Sequence, residues 1–268
     1  MGSAAEVLLW AWIILDSGLR SASLPEITDE KFIDECVREH NRARSSVRPA
    51  ASDMLHMTWD EGLAVTARAW ARNCVFEHNT YLKEVRRVHP TFSSVGENIW
   101  TGYPPAYFDV TRAIKKWVDE KEAYNYKDNT CTAVCGHYTQ VVWAQSYKVG
   151  CAVELCPNGV KKTSFAAEKG VIFVCNYAPG GNVNGMRPYK AEGVACSGCE
   201  GTCVDKLCRS QERDSREKYD WTPDWDLTVT TTDYEYTSIM VVRPIALIIT
   251  FISAYAVHHF YPDIFYYE

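Results

Sequence analysis

The distribution of cysteines constrains this chain more than any other feature. All eleven lie between residues 36 and 208, and none occurs in the first 35 or the last 60 residues. Such a block is typical of a domain that folds oxidatively outside the cytosol. The odd count leaves at least one thiol unpaired, and Cys36 is the candidate because it lies on an apolar stripe at helical spacing, where a thiol behaves as a small hydrophobic group. The stripe is Phe32, Ile33, Cys36, Val37 and His40.

The N-terminus has the pattern of an export signal. Residues 7–15 (VLLWAWIIL) form an apolar run of signal-peptide length, and Ser21-Ala22-Ser23 supplies small residues suited to cleavage. The flank before the run contains Glu6 and no Lys or Arg, so an uncleaved anchor is the alternative. We predict a signal peptide over residues 1–23 and a place in the secretory pathway.

Composition and charge narrow the class of protein. Hydrophobic residues make up 47% of the 268 residues and charged residues 23%, which excludes a disordered polymer, a collagen and a simple coiled coil. The formal net charge is -6. Because binding to phosphates needs a concentrated basic face, this balance argues against nucleic acid as a partner.

The C-terminal end is apolar again and predicts a membrane segment. Residues 245–257 form an apolar run, and extension back to Ile239 brings in Arg243 and Pro244. A span needs about 20 apolar residues, and an Arg near one end can reach the interface. We predict a single-pass anchor over 239–259, with an interfacial or partly buried helix as the alternative.

These features divide the chain into six regions. They are a signal peptide (1–23), a compact domain (24–190), a cysteine-rich hinge (191–209), a polar juxtamembrane stalk (210–238), the membrane segment (239–259) and a short tail (260–268).

Within the compact domain, helices and strands are segregated along the chain. This order predicts a layered α+β fold rather than a doubly wound parallel sheet. Helical spacing predicts helices over Phe32–Arg44, after an N-cap at Asp60, and over Val110–Tyr124. Strand patterns cover Tyr138–Trp143, Gly150–Leu155 and Val171–Tyr177.

Four acid–base residues are candidates for chemistry. If residues 138–143 are extended, His137 shares a face with Thr139 and Val141, while Tyr138, Gln140 and Val142 take the other face. Glu120 falls on the apolar stripe of its helix, where a carboxylate is costly unless paired or lining a polar cavity. His78, Glu97, Glu120 and His137 are a metal constellation only if the fold brings them together, since their spacing is no local motif. The alternative is that each histidine is a hydrogen-bonded core residue and each glutamate is partly solvated.

Two long motifs identify a family resemblance. Residues 136–146 (GHYTQVVWAQS) and 172–182 (IFVCNYAPGGN), with Gly96-Glu97-Asn98 between them, are similar to signatures of the CAP superfamily. That superfamily comprises cysteine-rich secretory proteins, antigen 5 and plant pathogenesis-related proteins of group one. The resemblance spans about 27–189 and implies a three-layer α-β-α sandwich with a central cavity.

The resemblance also implies the roles of the four acid–base residues. Family cavity residues map onto His78, Glu97, Glu120 and His137. In some relatives the two histidines bind a divalent ion such as zinc, and the carboxylates would hold a water or orient the imidazoles. Two protein ligands make a weak site, so partial occupancy is expected.

Disulfide pairs follow from the same resemblance. The implied pairs are Cys74–Cys156, Cys131–Cys135, Cys151–Cys175, Cys196–Cys203 and Cys199–Cys208. This leaves Cys36 as the free thiol. The last two pairs resemble the hinge of cysteine-rich secretory proteins, whose channel-blocking module does not follow here; a zinc ribbon is the alternative for these four cysteines.

Two functions compete. The resemblance favours an extracellular scaffold that binds proteins, lipids or sterols, and the aromatic run from Trp100 to Phe108 could contribute, although ordinary loop packing explains it equally well. The alternative is a hydrolase or protease in which His78 or His137 acts as base with Glu97 and Glu120 beside it. No Gly-x-Ser-x-Gly motif supports a nucleophile, so we favour a role without catalysis.

Overall fold

The computed structural model describes residues 24–84, 86–227 and 241–260. The predicted signal peptide, residues 228–240 and residues 261–268 lie outside this described part. The chain divides into two units, one ending at Pro223 and the other beginning at Asp224.

Among the described residues, four α-helices belong to the first unit. Aspartate side chains cap three of them, because Asp29, Asp60 and Asp109 each accept a hydrogen bond from a backbone N–H in the first turn. The helices are α1 (Glu30–Ser45), α2 (Glu61–Ala71), α3 (Val110–Asp119) and α4 (Gly136–Val141), and a 3₁₀ turn, Glu120–Ala123, follows α3.

The central sheet has four strands in the order β1-β5-β6-β2. Strand β1 pairs parallel to β5, whereas β6 pairs antiparallel with both β5 and β2, so β2 lies at one edge. Two short hairpins stand apart from it. The strands are β1 (Thr58–Trp59), β2 (Gly96–Gly102), β3 (Tyr124–Asn125), β4 (Thr130–Cys131), β5 (Lys148–Cys156), β6 (Gly170–Ala178), β7 (Thr202–Val204) and β8 (Leu207–Arg209).

Helices cover both faces of this sheet. A Cβ at Gly150 of β5 would lie 2.1 Å from the backbone N of Ala64, so α2 packs closely on that face. On the other face, the ring of Phe173 packs against Phe32 of α1 and Trp117 of α3. Alternate residues of a strand point to opposite faces, and the three-layer α-β-α sandwich is therefore confirmed.

The prediction of a strand over Tyr138–Trp143 is wrong. Residues 136–141 form α4, in which the N–H of Thr139 donates to the carbonyl of Cys135. The Thr139 hydroxyl adds a bond to the carbonyl of Gly136 at 3.1 Å. Local β propensity of Thr and Val loses here to tertiary contacts, and the predicted alternation of faces around His137 fails with it.

The predicted third helix is shorter than expected. It ends at Asp119 and tightens into the 3₁₀ turn that starts with Glu120. Glu120 is the C-cap of the helix and pairs with His137, which offsets the cost of a partly buried carboxylate.

Five disulfides and one buried free thiol, Cys36, account for the eleven cysteines. They are the same pairs that the family resemblance implies: Cys74–Cys156, Cys131–Cys135, Cys151–Cys175, Cys196–Cys203 and Cys199–Cys208.

The hinge region is bonded to the sandwich through its backbone. The N–H of Cys208 donates to the carbonyl of Met54 at 2.8 Å, and the N–H of His56 donates to the carbonyl of Cys208 at 2.9 Å. The β7–β8 turn places Asp205 and Lys206 at φ 51° and 63°, as a two-residue hairpin turn requires.

The segment after the hinge also packs on the sandwich, where a polar stalk was predicted. The hydroxyl of Tyr219 donates to Asp60 Oδ2 at 3.0 Å, and Arg216 forms ion pairs with Glu30 and Asp34. The first unit thus extends through the predicted stalk as far as Pro223.

The second unit contains α5 (Arg243–Phe260). Many of its apolar side chains are exposed, among them Ile245, Leu247, Phe251 and Phe260. Among the residues described, no helix has both the length and the apolar character that crossing a bilayer requires. The predicted span over 239–259 is therefore not supported.

Candidate functional site

The first histidine–glutamate pair joins the loop after α2 to the edge strand β2. His78 Nδ1 lies 2.9 Å from Glu97 Oε1, and the N–H of Asn79 donates to the same oxygen at 2.9 Å. Because a carboxylate accepts, Nδ1 of His78 carries the hydrogen and Nε2 keeps its lone pair. The His78 side chain is 62% exposed, whereas that of Glu97 is 1% exposed. A buried carboxylate thus orients a solvent-facing imidazole.

The environment shifts both pKa values of this pair upward. The hydrogen bond to Glu97 raises the pKa of His78, and burial raises the pKa of Glu97. In the described part of the chain, Glu97 Oε2 and Asn79 Nδ2 are buried without a protein hydrogen-bond partner. Since unsatisfied buried polar atoms are costly, these two atoms indicate a place for water or for a polar group of a ligand.

The second pair joins the end of α3 to the start of α4. His137 Nδ1 lies 2.6 Å from Glu120 Oε1, and the N–H of His137 donates to Oε2 at 3.0 Å. Trp117 stacks on the His137 ring at an interplanar angle of 14°. The His137 ring is therefore fixed by Trp117 on one face and by Glu120 at Nδ1. Its Nε2 has no hydrogen-bond partner among the described residues. We call His78 and His137 the open histidines.

Two adjacent residues of β2 contact the two pairs: Glu97 belongs to the first pair, and Asn98 contacts the second. Glu97 lies opposite Asn176, which faces α2, and Asn98 lies opposite Cys175 on the other face. The Asn98 Nδ2 donates to the carbonyl of His137 at 3.1 Å. One edge strand therefore connects both pairs.

A buried network supports this strand from α1. His40 Nδ1 donates to the carbonyl of Cys36 at 2.7 Å, so Nε2 must accept, and it does so from the hydroxyl of Tyr177 at 2.9 Å. The Tyr177 oxygen in turn accepts from Asn98 Nδ2 at 3.2 Å. The donor and the acceptor of each hydrogen bond in the series that leads from Cys36 to His137 are therefore assigned.

A second buried histidine is saturated in the same way. His89 Nδ1 accepts from the N–H groups of Thr91 and Phe92, and Nε2 therefore donates to Asp60 Oδ1 at 3.0 Å. His40 and His89 are both fully buried. We call these two the closed histidines.

The four predicted site residues form two pairs rather than one compact ligand cluster. A metal cluster needs at least three ligand atoms close together. In the described ranges, the His, Cys, Asp or Glu ligand atoms that lie within 4.8 Å of one another in a group of three or more are those of Cys196, Cys199 and Cys208. All three sulfurs are in disulfides, so they offer no thiolate to a metal. A cation site would rest on the open histidines.

Comparison with known proteins decides the family. The profile described as "CAP: Cysteine-rich secretory protein family" matches residues 37–177, a range that contains both histidine–glutamate pairs. This chain belongs to the CAP family. Proteins of that family are extracellular or secreted.

Individual relatives agree with this assignment. The CAP chain is 48% identical over 203 residues to "GLIPR1-like protein 1" of Bos taurus, covering 75% of this chain and 80% of that protein. It is 41% identical over 265 residues to "Glioma pathogenesis-related protein 1" of Mus musculus, covering 96% of each. The "Crystal structure of NaASP2 with Zn2+" superposes with a TM-score of 0.52 at 27% identity, covering 68% of this chain and 96% of that one.

The aromatic run from Trp100 to Phe108 is divided between core and surface. Phe108 packs against Trp100 and Phe173, whereas Tyr103 and Tyr107 are exposed. Packing explains Phe108, and Tyr103 stacks on Phe165 with about half of its surface exposed, while Tyr107 is more exposed still.

Sequence reasoning missed the residues that support the site. Asn98 was recognised only as part of a motif, and Tyr177 only as the end of a strand. The position of His40, four residues after Cys36 on a buried helical stripe, was the available signal, because a polar ring there must find partners.

Proposed function

We propose that this chain is an extracellular CAP-domain scaffold in which the open histidines hold a divalent cation such as zinc beside a binding surface for a protein, lipid or sterol. One observation carries the proposal. In both pairs a glutamate accepts from Nδ1 and leaves Nε2 free, the arrangement in which proteins present histidine to a metal.

The donor atoms of the two pairs are of the kind that such a cation takes. Nε2 of His78 and Nε2 of His137 would be the protein ligands, and the unpartnered Glu97 Oε2 is an acceptor for a metal-bound water. With two imidazoles, the remaining positions go to water or to a bound partner, so the affinity is expected to be modest. The zinc in the NaASP2 structure supports the choice of this ion.

A zinc titration tests the cation. We expect the purified protein to bind zinc with measurable heat in calorimetry. We expect His78→Ala and His137→Ala each to abolish this heat signal. Glu77→Gln is the matched control, because Glu77 neighbours His78 but pairs outward with Lys162. Zinc binding retained in the double histidine variant would overturn the assignment.

The ligand surface is tested separately. Tyr103 and Tyr107 are exposed and motivate vesicles of phosphatidylcholine with and without cholesterol as probes. We expect saturable binding that Tyr103→Ser/Tyr107→Ser weakens, with Lys83→Ser as a distant control. Equal binding by the variant, or none by the wild type, would remove lipid from the proposal and leave a protein partner.

Catalysis has no comparable support. Among the described residues, no serine, threonine or cysteine side chain hydrogen-bonds to either open histidine, although a general base must lie within reach of its nucleophile. We therefore propose binding without turnover. Zinc-dependent cleavage of a peptide library, lost in His137→Ala, would establish the hydrolase instead.

Localisation belongs to the same proposal. We propose that the chain is exported after removal of residues 1–23, and expression of the full chain tests this. Recovery in the medium indicates secretion, whereas retention in the membrane pellet after alkaline extraction indicates attachment through 239–259.

A further inference from the structure

A groove of about 1020 Å³ lies between α1 and the hinge hairpin, away from the open histidines. Residues of α1 and of the following loop form one wall, and residues of β7, its turn and β8 form the other. Both walls belong to the first unit. Backbone bonds of Cys208 to Met54 and His56 fix the two walls to each other, so the groove is part of the folded sandwich.

The charge of this groove is opposite to that of the chain. Its lining contains six cationic side chains and two carboxylates, whereas the whole sequence has a net charge of -6. The cations are Arg38, Arg42, Arg44, Arg48, Lys206 and Arg209. Arg44 is buried and donates to backbone carbonyls, so the other five are the ones a ligand would meet. The carboxylates are Asp34 and Asp205.

Buried carboxylates pair with three arginines of the groove and leave the side chains of those arginines exposed to solvent. Arg38 and Arg42 both pair with Glu39, whose side chain is 6% exposed, and their own side chains remain mostly exposed. Across the groove Arg209 pairs with Asp214, which is also buried. Since these acids lie below, the outer N–H groups of the guanidinium heads still face solvent, and their positions are set before any ligand arrives.

His56 at the floor reports the same positive field. Burial, together with the charges of Arg209, Arg44 and Arg213, lowers the pKa of His56 to about 4, while Asp214 acts against them. The Nδ1 of His56 is buried without a hydrogen-bond partner among the described residues. The floor therefore favours a negatively charged neighbour.

We propose that this groove binds an extracellular sulfated polysaccharide. Cations on two facing walls suit a chain that carries sulfate groups along both of its sides, and arginine forms paired hydrogen bonds with such oxyanions. Val37, which is half-buried, and Val204, which is exposed, supply apolar contact for the sugar rings. Within the described residues the lining has no aromatic side chain, the usual anchor of a peptide or protein partner.

Heparin oligosaccharide binding to the full chain tests the proposal. The test variant is Arg48→Ser/Lys206→Asn, in which both cations are exposed and Asn tolerates the positive φ of residue 206. The control is Lys83→Ser/Lys169→Ser, which removes two exposed charges elsewhere. We expect the test variant to lose about tenfold in affinity and to flatten the salt slope by about 2, and the control to change less than about twofold.

Folding is checked by zinc titration and thermal unfolding of both variants, which we expect to match the wild type. Three outcomes would overturn the proposal: no heparin binding by the wild type at low salt, an equal loss in the control, or equally tight binding of poly-glutamate, which would indicate an acidic peptide. If Arg48→Ser/Lys206→Asn unfolds, Arg42→Gln in α1 replaces it, and because it removes one charge the salt slope is expected to flatten by about 1.

Discussion

The open and the closed histidines of this molecule differ in whether the second ring nitrogen finds a protein partner. In His40 and His89 both nitrogens are hydrogen-bonded and the rings are fully buried. In His78 and His137 a glutamate holds Nδ1 and the ring reaches solvent. The same side chain thus serves as a core hydrogen-bonding group in one region and as a prospective ligand in the other.

The pKa shifts follow this difference. Burial lowers the pKa of His40 to about 4, since no carboxylate compensates for removing a charged ring from water. The hydrogen bond that His78 donates to Glu97 raises the pKa of His78. The partners of a histidine in this fold therefore determine whether it is open or closed, and the following predictions test that distinction.

The largest expected effect is a loss of stability in acid caused by His40. Its folded pKa of about 4 lies below the ordinary value of 6.5, so the unfolded chain binds more protons between these limits. The contribution of His40 to the free energy of unfolding should be fully present above pH 6.5 and should fall by about 3 kcal/mol as the pH drops to 4. Denaturant titrations across this range measure it.

His56 also has a pKa lowered to about 4 and must be separated from His40. By the same linkage His56 contributes a comparable loss, so we expect about half of the total acid loss to persist in His56→Gln, and the His40 ring to stay neutral at pH 5 in an NMR titration. A His40 ring that titrates near 6.5 would contradict the closed assignment.

The second prediction removes the link between His40 and Asn98. Tyr177→Phe deletes a buried hydroxyl that donates to one residue and accepts from the other, leaving both with an unmade hydrogen bond. We expect a loss of about 1–3 kcal/mol in the free energy of unfolding. Tyr107→Phe on the surface is the control and should change it by less than about 0.5 kcal/mol. Equal effects in the two variants would show that the network carries no stability.

The sequence predicted the layered α+β fold well, since its helices have strong caps and apolar stripes, as at Asp60 and along α3, whereas the α-β-α sandwich was implied by the family resemblance. It failed where local propensity and tertiary contact disagree. The run from Tyr138 to Trp143 favours a strand by composition, yet residues 136–141 are helical, and Glu120 accepts from the first-turn N–H groups of His137 and Tyr138. These contacts come from residues distant in sequence, such as Asn182 on Thr139, which no local pattern reports.

The candidate site was predictable only in part. The four residue types followed from the resemblance, but the pairing of each histidine with its own glutamate depends on where α3 ends and how β2 lies at the sheet edge. Asn98 illustrates the limit, because its role depends on a carbonyl 39 positions away. The packing of Tyr219 on the sandwich was equally hidden, since a polar composition suggested a stalk.

The third prediction separates orientation from charge at an open histidine. Glu97→Gln keeps an oxygen that can accept from His78 but removes the negative charge behind the imidazole. Because such partners tune the ligand, zinc affinity should fall about 10- to 100-fold, measured by calorimetry. Glu77→Gln removes a neighbouring exposed carboxylate and should leave it unchanged. Unaltered affinity in Glu97→Gln would mean that Glu97 only fills space.

The smallest expected effect concerns the closed His89. Tyr219→Phe removes the hydroxyl that donates to Asp60, while the His89 bond to the other carboxylate oxygen stays. Because Tyr219 is partly exposed, water can replace the hydroxyl, and we expect a loss of only about 0.5–1.5 kcal/mol in the free energy of unfolding. Amide hydrogen exchange should rise around residues 215–221 with zinc affinity unchanged. A change in zinc affinity would show that the closed and open histidines are coupled, which the separate sets of hydrogen bonds argue against.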